Sequence, residues 1–214
     1  MNKNLFVLDF ETTGLNVYLN EPIEIAIKKL NRRYIYQSLI IPTQKNIYYK
    51  YVPPKIVDLT HITDNMIDID GVDKHIVIFN VCRFLETNSK DGEPIYIISH
   101  NGNSFDFIIF RKMIYDYNQI SEHEKIEETF IDRLRYIDTI LLSKLFIENE
   151  SFKQSRLCQK YNIRNLSEHR AQGDIEALEK LYVILCEQYS HHKGYNFNYY
   201  LDNPGGIVKV LHCD

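Results

Sequence analysis

Two carboxylates follow directly after an apolar run near the start of the chain. In the segment NLFVLDFETTGL (residues 4–15), residues 5–8 predict a buried strand and the turn-prone residues 12–14 predict its end. Residues two apart on a strand point to the same face, so Asp9 and Glu11 would lie side by side as two anions that repel each other. Such a pair either belongs to a turn or a helix cap, or it holds a cation.

Three further acids occur where predicted strands meet predicted helices: Asp106 in HNGNSFDF, Asp138 in RYIDT and Asp174 in EHRAQGD. Each has an ordinary explanation, because an acid in the first turn of a helix caps backbone N–H groups and complements the helix dipole. Brought together, however, several carboxylates raise one another's pKa unless a cation neutralises them. Oxygen-only ligands select hard ions such as Mg²⁺ and Mn²⁺, and a pair of these ions is a common device for cutting phosphodiester bonds.

The elements that must position these acids follow from the hydrophobic pattern. The pattern predicts a layered α/β or α+β domain, with a mixed sheet that has helices on its faces. Residues 1–190 are expected to form this domain, and the Gly-, Asn- and Tyr-rich residues 191–214 an appendage packed on it. After the first strand, further strands are predicted at 22–30, 33–42 and 93–102, and a strand that runs into a helix at 133–146. Helices are predicted at 72–86, 104–117 (with Ser104 as N-cap), 151–161 and 174–189. The remaining segments are a polar, turn-rich stretch at 43–71 and an exposed, charged insertion at 119–132.

Composition excludes several classes of protein. Hydrophobic residues make up 44% and charged residues 25% of the 214 residues, which is typical of a globular protein with a proper core. A net charge of −4 argues against a protein that coats long tracts of nucleic acid. The four scattered cysteines, without a CxxC pair, indicate reduced thiols. Without a membrane-length apolar run or a secretory signal, we expect an intracellular protein that acts in the cytoplasm, or in the nucleus of a eukaryotic or virus-infected cell.

Three segments together carry a family resemblance: DFETTG (9–14), HNGNSFD (100–106) and HRAQGD (169–174). In this order they resemble the three motifs of the DnaQ-like DEDDh 3′→5′ exonucleases, and EIAI (24–27) is a weaker similarity. The resemblance covers about residues 5–190 and implies a ribonuclease H-like α/β fold, with a mixed five-stranded sheet flanked by helices. It implies that Asp9, Glu11, Asp106 and Asp174 bind two Mg²⁺ or Mn²⁺ ions, and that His169 is the general base that takes a proton from the attacking water.

The same resemblance suggests how the end of a strand is held. Thr12, Thr13, Gly14 and Leu15 resemble the segment that binds the terminal nucleotide, and Asn101 and Phe105 resemble residues that line the same cleft. On sequence alone, Asn101 and Phe105 are as readily ordinary turn and core residues. Arg170 stands where a related subclass has a Tyr, which disfavours that subclass, and His61 in THITD replaces an expected Gly, which puts the contacts of that loop in doubt. His61 and His100 are the next candidates for the base.

Basic residues offer two candidate surfaces for a nucleic-acid backbone. Basic and aromatic residues interleave in QKNIYYKYVPPK (44–55), as a groove that follows a single strand requires, although a solvated loop would look the same. The second candidate is a stripe of cations at Lys153, Arg156, Lys160 and Arg164.

These observations favour a metal-dependent 3′→5′ exonuclease that releases nucleoside 5′-monophosphates from single-stranded 3′ ends, with DNA preferred over RNA. An exoribonuclease is one alternative. Another is a non-catalytic protein of the same fold that binds nucleic acid or a polymerase. A DNA polymerase acting in trans is a further candidate partner, and a membrane is not expected to be one.

Overall fold

The computed structural model describes residues 3–43, 48, 50–120, 124–148, 151–165 and 169–212. Within these ranges the chain forms one six-stranded sheet in the order β4-β3-β2-β1-β5-β6. The strands are β1 Leu5–Thr12, β2 Pro22–Lys29, β3 Ile35–Ile41, β4 Val72–Asp73, β5 Ile95–Ser99 and β6 Leu134–Asp138. The helices are α1 Pro54–Thr60, α2 Asp64–Asp70, α3 Lys74–Thr87, α4 Asp106–Ile120, α5 Glu128–Ile131, α6 Thr139–Lys144, α7 Gln154–Lys160, α8 Ala171–His192, α9 Tyr199–Asp202 and α10 Pro204–His212, and a short 3₁₀ helix, η1 Gly102–Ser104, precedes α4.

The sheet mixes parallel and antiparallel pairs around the central strand β1. Strands β1, β2 and β3 pair antiparallel in sequence, whereas β5 lies parallel to β1 and β6 parallel to β5. The predicted α/β class, a mixed sheet flanked by helices, is confirmed. The sheet has six strands rather than five because Val72 and Asp73 pair in parallel with Ile40 and Ile41. Two residues are too few to show an alternating pattern in the sequence.

Helices cover both faces of the sheet, and the alternation along β1 decides which side chain meets which layer. Phe6 and Phe10 pack on one face with residues of α3 and α4. Val7 packs on the other face with residues of α6, α7 and α8. Because side chains alternate along a strand, Asp9 and Glu11 share the face of Val7 and point toward the α8 layer.

Helix α8 presents a continuous apolar stripe to that second face. Its buried side chains recur three or four residues apart, as in Ile175, Leu178, Leu181 and Leu185, which is the spacing of one helix face. Asp174 lies in the first turn of α8, at the end of the stripe nearest the carboxyl end of β1. No helix among the described residues combines the length and the apolar character needed to cross a membrane.

Two helices lie in the stretch that the sequence predicted to be polar and turn-rich. Helix α1 begins with Pro54 directly after Pro53, a position that tolerates a proline because the first N–H groups of a helix have no intrahelical partner. Helix α2 is capped by Thr63, whose side chain accepts a hydrogen bond from the Met66 N–H at 3.3 Å. Each helix has seven residues, which is too short for helical periodicity to show.

The predicted N-cap at Ser104 is wrong. Ser104 is the last residue of η1, and α4 begins two residues later, at Asp106. The physical reason lies outside the local sequence: the backbone N–H groups of Asn101 and Asn103 both donate to Asp138 on β6, at 3.1 and 3.0 Å. These bonds hold the chain in a 3₁₀ turn before α4 starts.

Residues 119–132 are largely exposed, as predicted, but two apolar side chains anchor the segment. Residues 121–123 lie outside the described part, and Ile126 and Phe130 are buried in the same cluster as the α4 side chains. Asn118 ties the segment down, since its amide donates to the Ile126 carbonyl and accepts from the Ile126 N–H, both at 2.9 Å. The charge of the segment predicts its exposure, whereas two isolated apolar residues give no pattern from which their burial could be predicted.

The carboxyl-terminal residues add two short helices to the α8 layer. Tyr200, Leu201 and Ile207 of α9 and α10 are buried in the cluster that α8 shares with β1. Helix α8 itself runs past residue 190 to His192. The division of the chain into residues 1–190 and 191–214 stays a prediction.

Asp138 is a scaffold residue. Its carboxylate is 4% exposed and accepts three backbone N–H bonds, from Asn101, Asn103 and Ile140, the last at 2.9 Å. It thereby caps α6 and holds the turn before α4, which agrees with its ordinary explanation as a capping acid.

Replacing Asp138 should therefore destabilise the fold. Hydrogen bonds to a charged group contribute about 1.5–3 kcal/mol each and are not additive, so we expect Asp138→Ala to lower the free energy of unfolding by about 3 kcal/mol. Equilibrium urea unfolding measures this change. Asp91→Ala removes an exposed acid and serves as the control, with an expected change below about 0.5 kcal/mol. Equal stability of the two variants would contradict the scaffold role.

Candidate active site

Three carboxylates meet where β1 ends beside the first turn of α8. Asp9, Glu11 and Asp174 each offer an oxygen, and these oxygens lie within 4.8 Å of one another. Two of the acids share one face of β1, and the third is brought to them by the packing of α8 on that face. The structure thus brings together three of the acids that the sequence singled out, and their roles as metal ligands stay a prediction. They line a cavity of about 480 Å³.

Asp106 reaches the same cavity from the first turn of α4. Its side chain is 2% exposed and accepts two hydrogen bonds, from the Phe10 N–H at 3.1 Å and from the Ser99 hydroxyl at 2.6 Å. These donors on β1 and β5 fix its orientation. Asp106 is not part of the mutually close group of three that occurs among the described residues.

Burial and mutual repulsion make these acids hold their protons. Burial, followed by the nearby charges of Asp106, Glu11 and Asp174, raises the pKa of Asp9 well above its ordinary value. Burial and then Asp174 raise the pKa of Glu11 to about 8. Burial also raises the pKa of Asp106 to about 7, although its bonds from Ser99 and Phe10 act in the opposite direction. The metal-free cluster therefore carries less negative charge near neutral pH than its residue types suggest.

The donor set fits a hard divalent cation. Carboxylate oxygens are the ligands that Mg²⁺ and Mn²⁺ prefer, and a cation beside them would remove the repulsion that raises their pKa values. Within the described part of the chain, no hydrogen-bond donor contacts the carboxylates of Asp9 or Glu11, so their oxygens are available as ligands. Asp9, Glu11 and Asp174 together could hold a metal ion.

His169 lies on the wall of the cavity, in the turn before α8. Its backbone N–H donates to one oxygen of Asp174 at 3.0 Å, and the Asn165 amide donates to the other at 2.7 Å. The bond from His169 N–H explains the five-residue spacing between His169 and Asp174, because it closes the turn onto the first turn of the helix. His169 adopts a left-handed φ of 64°, which non-glycine residues rarely do.

A buried ion pair beside this turn was not predicted from the sequence. Glu24 on β2 is 1% exposed and accepts from the Arg170 guanidinium at 2.6 and 3.1 Å, from the Ala171 N–H at 3.0 Å and from the Gln37 amide at 3.0 Å. Glu24 lies opposite Glu11 in the register of β1 and β2. A signal existed: a charged residue inside the apolar strand PIEIAI must find a partner when it is buried. The sequence could not say which cation that partner was.

The predicted nucleotide-binding loop divides into supporting and exposed residues. Thr12 and Thr13 hold the loop, since the Thr12 hydroxyl donates to the Gly14 carbonyl at 2.6 Å and the Thr13 hydroxyl accepts from the Glu21 N–H at 3.0 Å. Gly14 allows a close approach, because a Cβ there would lie 2.7 Å from the Asn20 side-chain oxygen. Leu15 is 90% exposed and lines the cavity. Thr12, Thr13 and Gly14 are not among the described residues that line it.

The two residues predicted from the second motif both line the cavity. Asn101 adopts a left-handed φ of 65° before η1, and Phe105 follows η1. The structure therefore brings Asn101 and Phe105 to the same space as the acids, His169 and Leu15.

The two other candidate bases are placed less favourably than His169. His100 lines the cavity, but its ring nitrogens lie 2.8 Å from the Thr139 hydroxyl and 2.7 Å from the Phe152 carbonyl, and burial lowers its pKa. His61 ends α1 with a left-handed φ of 59°. That conformation explains why a Gly is expected at this position.

Of the two predicted basic surfaces, one can be located. Lys153 lines the cavity, and Arg156, Lys160 and Arg164 are exposed on α7 and directly after it. Of the segment 44–55, residues 44–47 and 49 lie outside the described residues. Tyr48 and Lys50 are exposed, whereas Tyr51 is buried, and the surface as a whole stays a prediction.

The chain is similar to known proteins over most of its length. The family model RNase_T, described as an exonuclease, matches residues 6–182. The PolC-type DNA polymerase III of Thermotoga petrophila is 27% identical over 189 residues, covering 87% of this chain and 12% of the polymerase. Exonuclease DPD1, chloroplastic/mitochondrial, of Arabidopsis thaliana is 26% identical over 187 residues, covering 85% of this chain and 55% of that protein.

A solved structure confirms the predicted fold family. E. coli exonuclease I in complex with a dT13 oligonucleotide superposes with a TM-score of 0.67 at 15% identity, covering 90% of this chain and 43% of that one. The chain therefore has the ribonuclease H-like fold. It spans only a part of each of these larger proteins.

The raised pKa values predict how the stability of the metal-free protein depends on pH. The pKa of Glu11 moves from its ordinary 4.5 in the unfolded chain to about 8 in the fold, so between these values the folded state binds more protons. Raising the pH through this window removes those protons, and the free energy of unfolding should fall. Thermal unfolding in EDTA from pH 5 to pH 8 should show a melting temperature that drops by several degrees, since about 1 kcal/mol corresponds to about 2–4 °C at this size.

Two controls make this test specific. Glu11→Gln should flatten the slope, whereas Glu127→Gln, which removes an exposed acid, should leave it unchanged. Added Mg²⁺ should also reduce the slope by neutralising the cluster. If the melting temperature of Glu11→Gln falls with pH as steeply as that of the unmodified protein, Glu11 is not the cause of the pH dependence.

Proposed function

Because this chain belongs to the DnaQ-like exonuclease family that the RNase_T model describes, we propose that it removes nucleotides stepwise from the 3′ end of nucleic acid and releases nucleoside 5′-monophosphates. DNA is the favoured substrate. The proposal includes a site with two Mg²⁺ or Mn²⁺ ions and His169 as the general base. Its main support is the group of three half-buried carboxylates within 4.8 Å of one another, in a cavity that His169 and Leu15 also line.

The acids would hold the cations in this proposal. Asp9, Glu11 and Asp174 would be the direct ligands, and Asp106 would add its charge from the other side of the cavity. When bound, divalent cations stabilise the negative charge that develops on a phosphodiester during hydrolysis. The chain's own contribution is to keep Asp174 oriented by bonds from Asn165 and His169, and Asp106 by bonds from Ser99 and Phe10.

His169 would accept the proton of the attacking water. A neutral imidazole is suited to this role near neutral pH, and His169 is placed for it because the residue lines the cavity and its backbone N–H bonds to Asp174. Arg170, which stands where a related subclass has its Tyr, bonds to Glu24 and is not among the lining residues. The geometry thus favours His169, rather than Arg170, as the general base.

The exposed side of the cavity would receive the strand end. Leu15 is held at the mouth by a hydrogen-bonded loop, so its apolar side chain can pack against a base without first becoming ordered. Phe105 offers an aromatic surface, and Lys153 offers a cation for a backbone phosphate. An apolar side for bases beside a basic side for phosphates fits a single strand.

Two alternatives remain distinct from this function. A non-catalytic binding protein would gain nothing from buried acids that repel phosphates without a cation. An exoribonuclease would use the same acids, so only its substrate preference differs. The relatives named as polymerases suggest that the chain acts beside a polymerase in trans, although it matches only 12% of the Thermotoga protein.

The first functional prediction concerns the metal requirement, the direction of cleavage and the preference for DNA over RNA. A 5′-labelled single-stranded DNA should shorten stepwise in Mg²⁺ or Mn²⁺ and stay intact in EDTA, because the acids cannot bind a phosphodiester without cations. A matched RNA should be cut more slowly. Cleavage that persists in EDTA would contradict the metal site, and loss of a circular strand at the rate of a linear one would indicate an endonuclease.

The second functional prediction concerns the base. His169→Ala should lower kcat by roughly 10²–10⁴-fold, the usual contribution of general-base catalysis, and His169→Gln should behave similarly because an amide cannot take the proton. Mn²⁺ binding, measured by calorimetry, should stay near normal. His191 lies in the last turn of α8, at the opposite end of that helix from His169. His191→Ala is therefore the matched control and should keep its activity. Full activity of His169→Ala at neutral pH would show that another group is the general base.

A further inference from the structure

We propose that the Glu24–Arg170 ion pair is a positioning device that keeps His169 directed into the cavity, a role that rests on the proposed function of His169. The pair joins β2, which neighbours the catalytic strand β1, to the turn before α8. Neither residue is needed to bind metal or substrate in this proposal. Both act through the turn.

The contacts to Glu24 fix two consecutive residues of that turn. Two guanidinium nitrogens of Arg170 bond to the two carboxylate oxygens, at 2.6 and 3.1 Å, and the Ala171 N–H adds a third bond at 3.0 Å. The Arg170 side chain is 31% exposed, whereas that of Glu24 is 1% exposed. A bidentate pair with a buried partner restricts orientation as well as distance.

The direction of Arg170 determines the direction of His169. His169 lines the cavity, whereas Arg170, the next residue, bonds to Glu24 and is not among the described residues that line it. Because the two residues share one peptide unit, holding Arg170 on Glu24 fixes the backbone from which the His169 side chain projects. Rotation of Arg170 away from Glu24 would remove this constraint.

The turn needs such a restraint because His169 holds an unfavourable backbone conformation. Its φ of 64° is uncommon for a residue with a side chain, and its own N–H donates to Asp174. The bonds to Glu24 hold the other end of the turn. Since Glu24 on β2 lies opposite Glu11 on β1, they hold the turn against the strand next to the one that carries Asp9 and Glu11.

The fold contains a matched control for this pair. Lys28 and Glu179 form a second ion pair between β2 and α8, four positions further along the strand, with side chains 20% and 12% exposed. Lys28→Met therefore breaks another ion pair that links β2 to the α8 region, but away from His169 and the acids. It tests whether a general weakening of the β2–α8 packing is enough to lower kcat.

The experiment compares Arg170→Gln, Glu24→Gln, their double variant and Lys28→Met on labelled single-stranded DNA. Misplacement of a catalytic group by about 1 Å can cost roughly 10²-fold, so we expect kcat of Arg170→Gln to fall by roughly 10–100-fold with KM nearly unchanged. The double variant should be no slower than the worse single variant, because both lose one interaction. Arg170→Lys should recover part of kcat, since Lys keeps the charge but cannot bond in a bidentate way. Lys28→Met should lower the melting temperature by a similar amount and keep kcat.

Measurements other than activity separate the possible causes. Mn²⁺ affinity by calorimetry should be unchanged in Lys28→Met and in the double variant, in which the two opposite charges that act on Glu11 are removed together. Guanidinium ion added to Arg170→Ala should raise kcat, and it should not do so in Arg170→Ala that also carries Glu24→Gln.

The proposal is overturned if Arg170→Gln and Arg170→Lys keep the kcat of the unmodified protein while Arg170→Gln loses as much stability as Lys28→Met. It is also overturned if the double variant is slower by the product of the two single effects. An unmodified protein that cuts neither DNA nor RNA in Mg²⁺ or Mn²⁺ would instead overturn the proposed function, and the positioning role with it.

Discussion

The repulsion among Asp9, Glu11 and Asp174 is the constraint on which the rest of the site depends. Three half-buried carboxylates this close are stable only if they keep protons or gain a cation. The fold holds them together because β1 lies in the middle of the sheet and α8 packs on its face. The rigidity of the sheet keeps the acids close even though their charges favour separation. The exonuclease family to which the chain belongs gives this arrangement its use.

The buried acids of this protein fall into two kinds, and their hydrogen-bond donors distinguish them. Asp138 and Glu24 each accept at least three hydrogen bonds from N–H groups, so their charge is compensated by the protein itself. Asp9 and Glu11 have no such donors within the described residues. Asp174 combines the two kinds, since N–H donors orient both of its oxygens while it lies beside Asp9 and Glu11. Asp106 lies between the two kinds, with one backbone donor and one hydroxyl donor.

Much of this arrangement could be predicted from local pattern. Alternation along the first strand was enough to place Asp9 and Glu11 on one face, and the long apolar periodicity of α8 predicted a helix that begins near Asp174. The parts that could not be predicted depend on contacts between distant segments. The start of α4 is set by Asp138 on another strand, the partner of Glu24 lies on the turn before α8, and α1, α2 and β4 are too short for a periodic signal. Roles of individual site residues depend on a metal and a substrate, which no pattern of residues displays.

The order of the elements has a consequence for how the protein matures during synthesis. Asp9 and Glu11 lie on the first strand, whereas Asp174 lies on α8, which follows all the strands of the described sheet. A nascent chain carries two of these acids long before the third can meet them, and such pairings of distant segments form late in folding. The site is therefore completed only when α8 docks on β1. A partly synthesised or misfolded chain lacks the complete group of acids, and with it the candidate metal site.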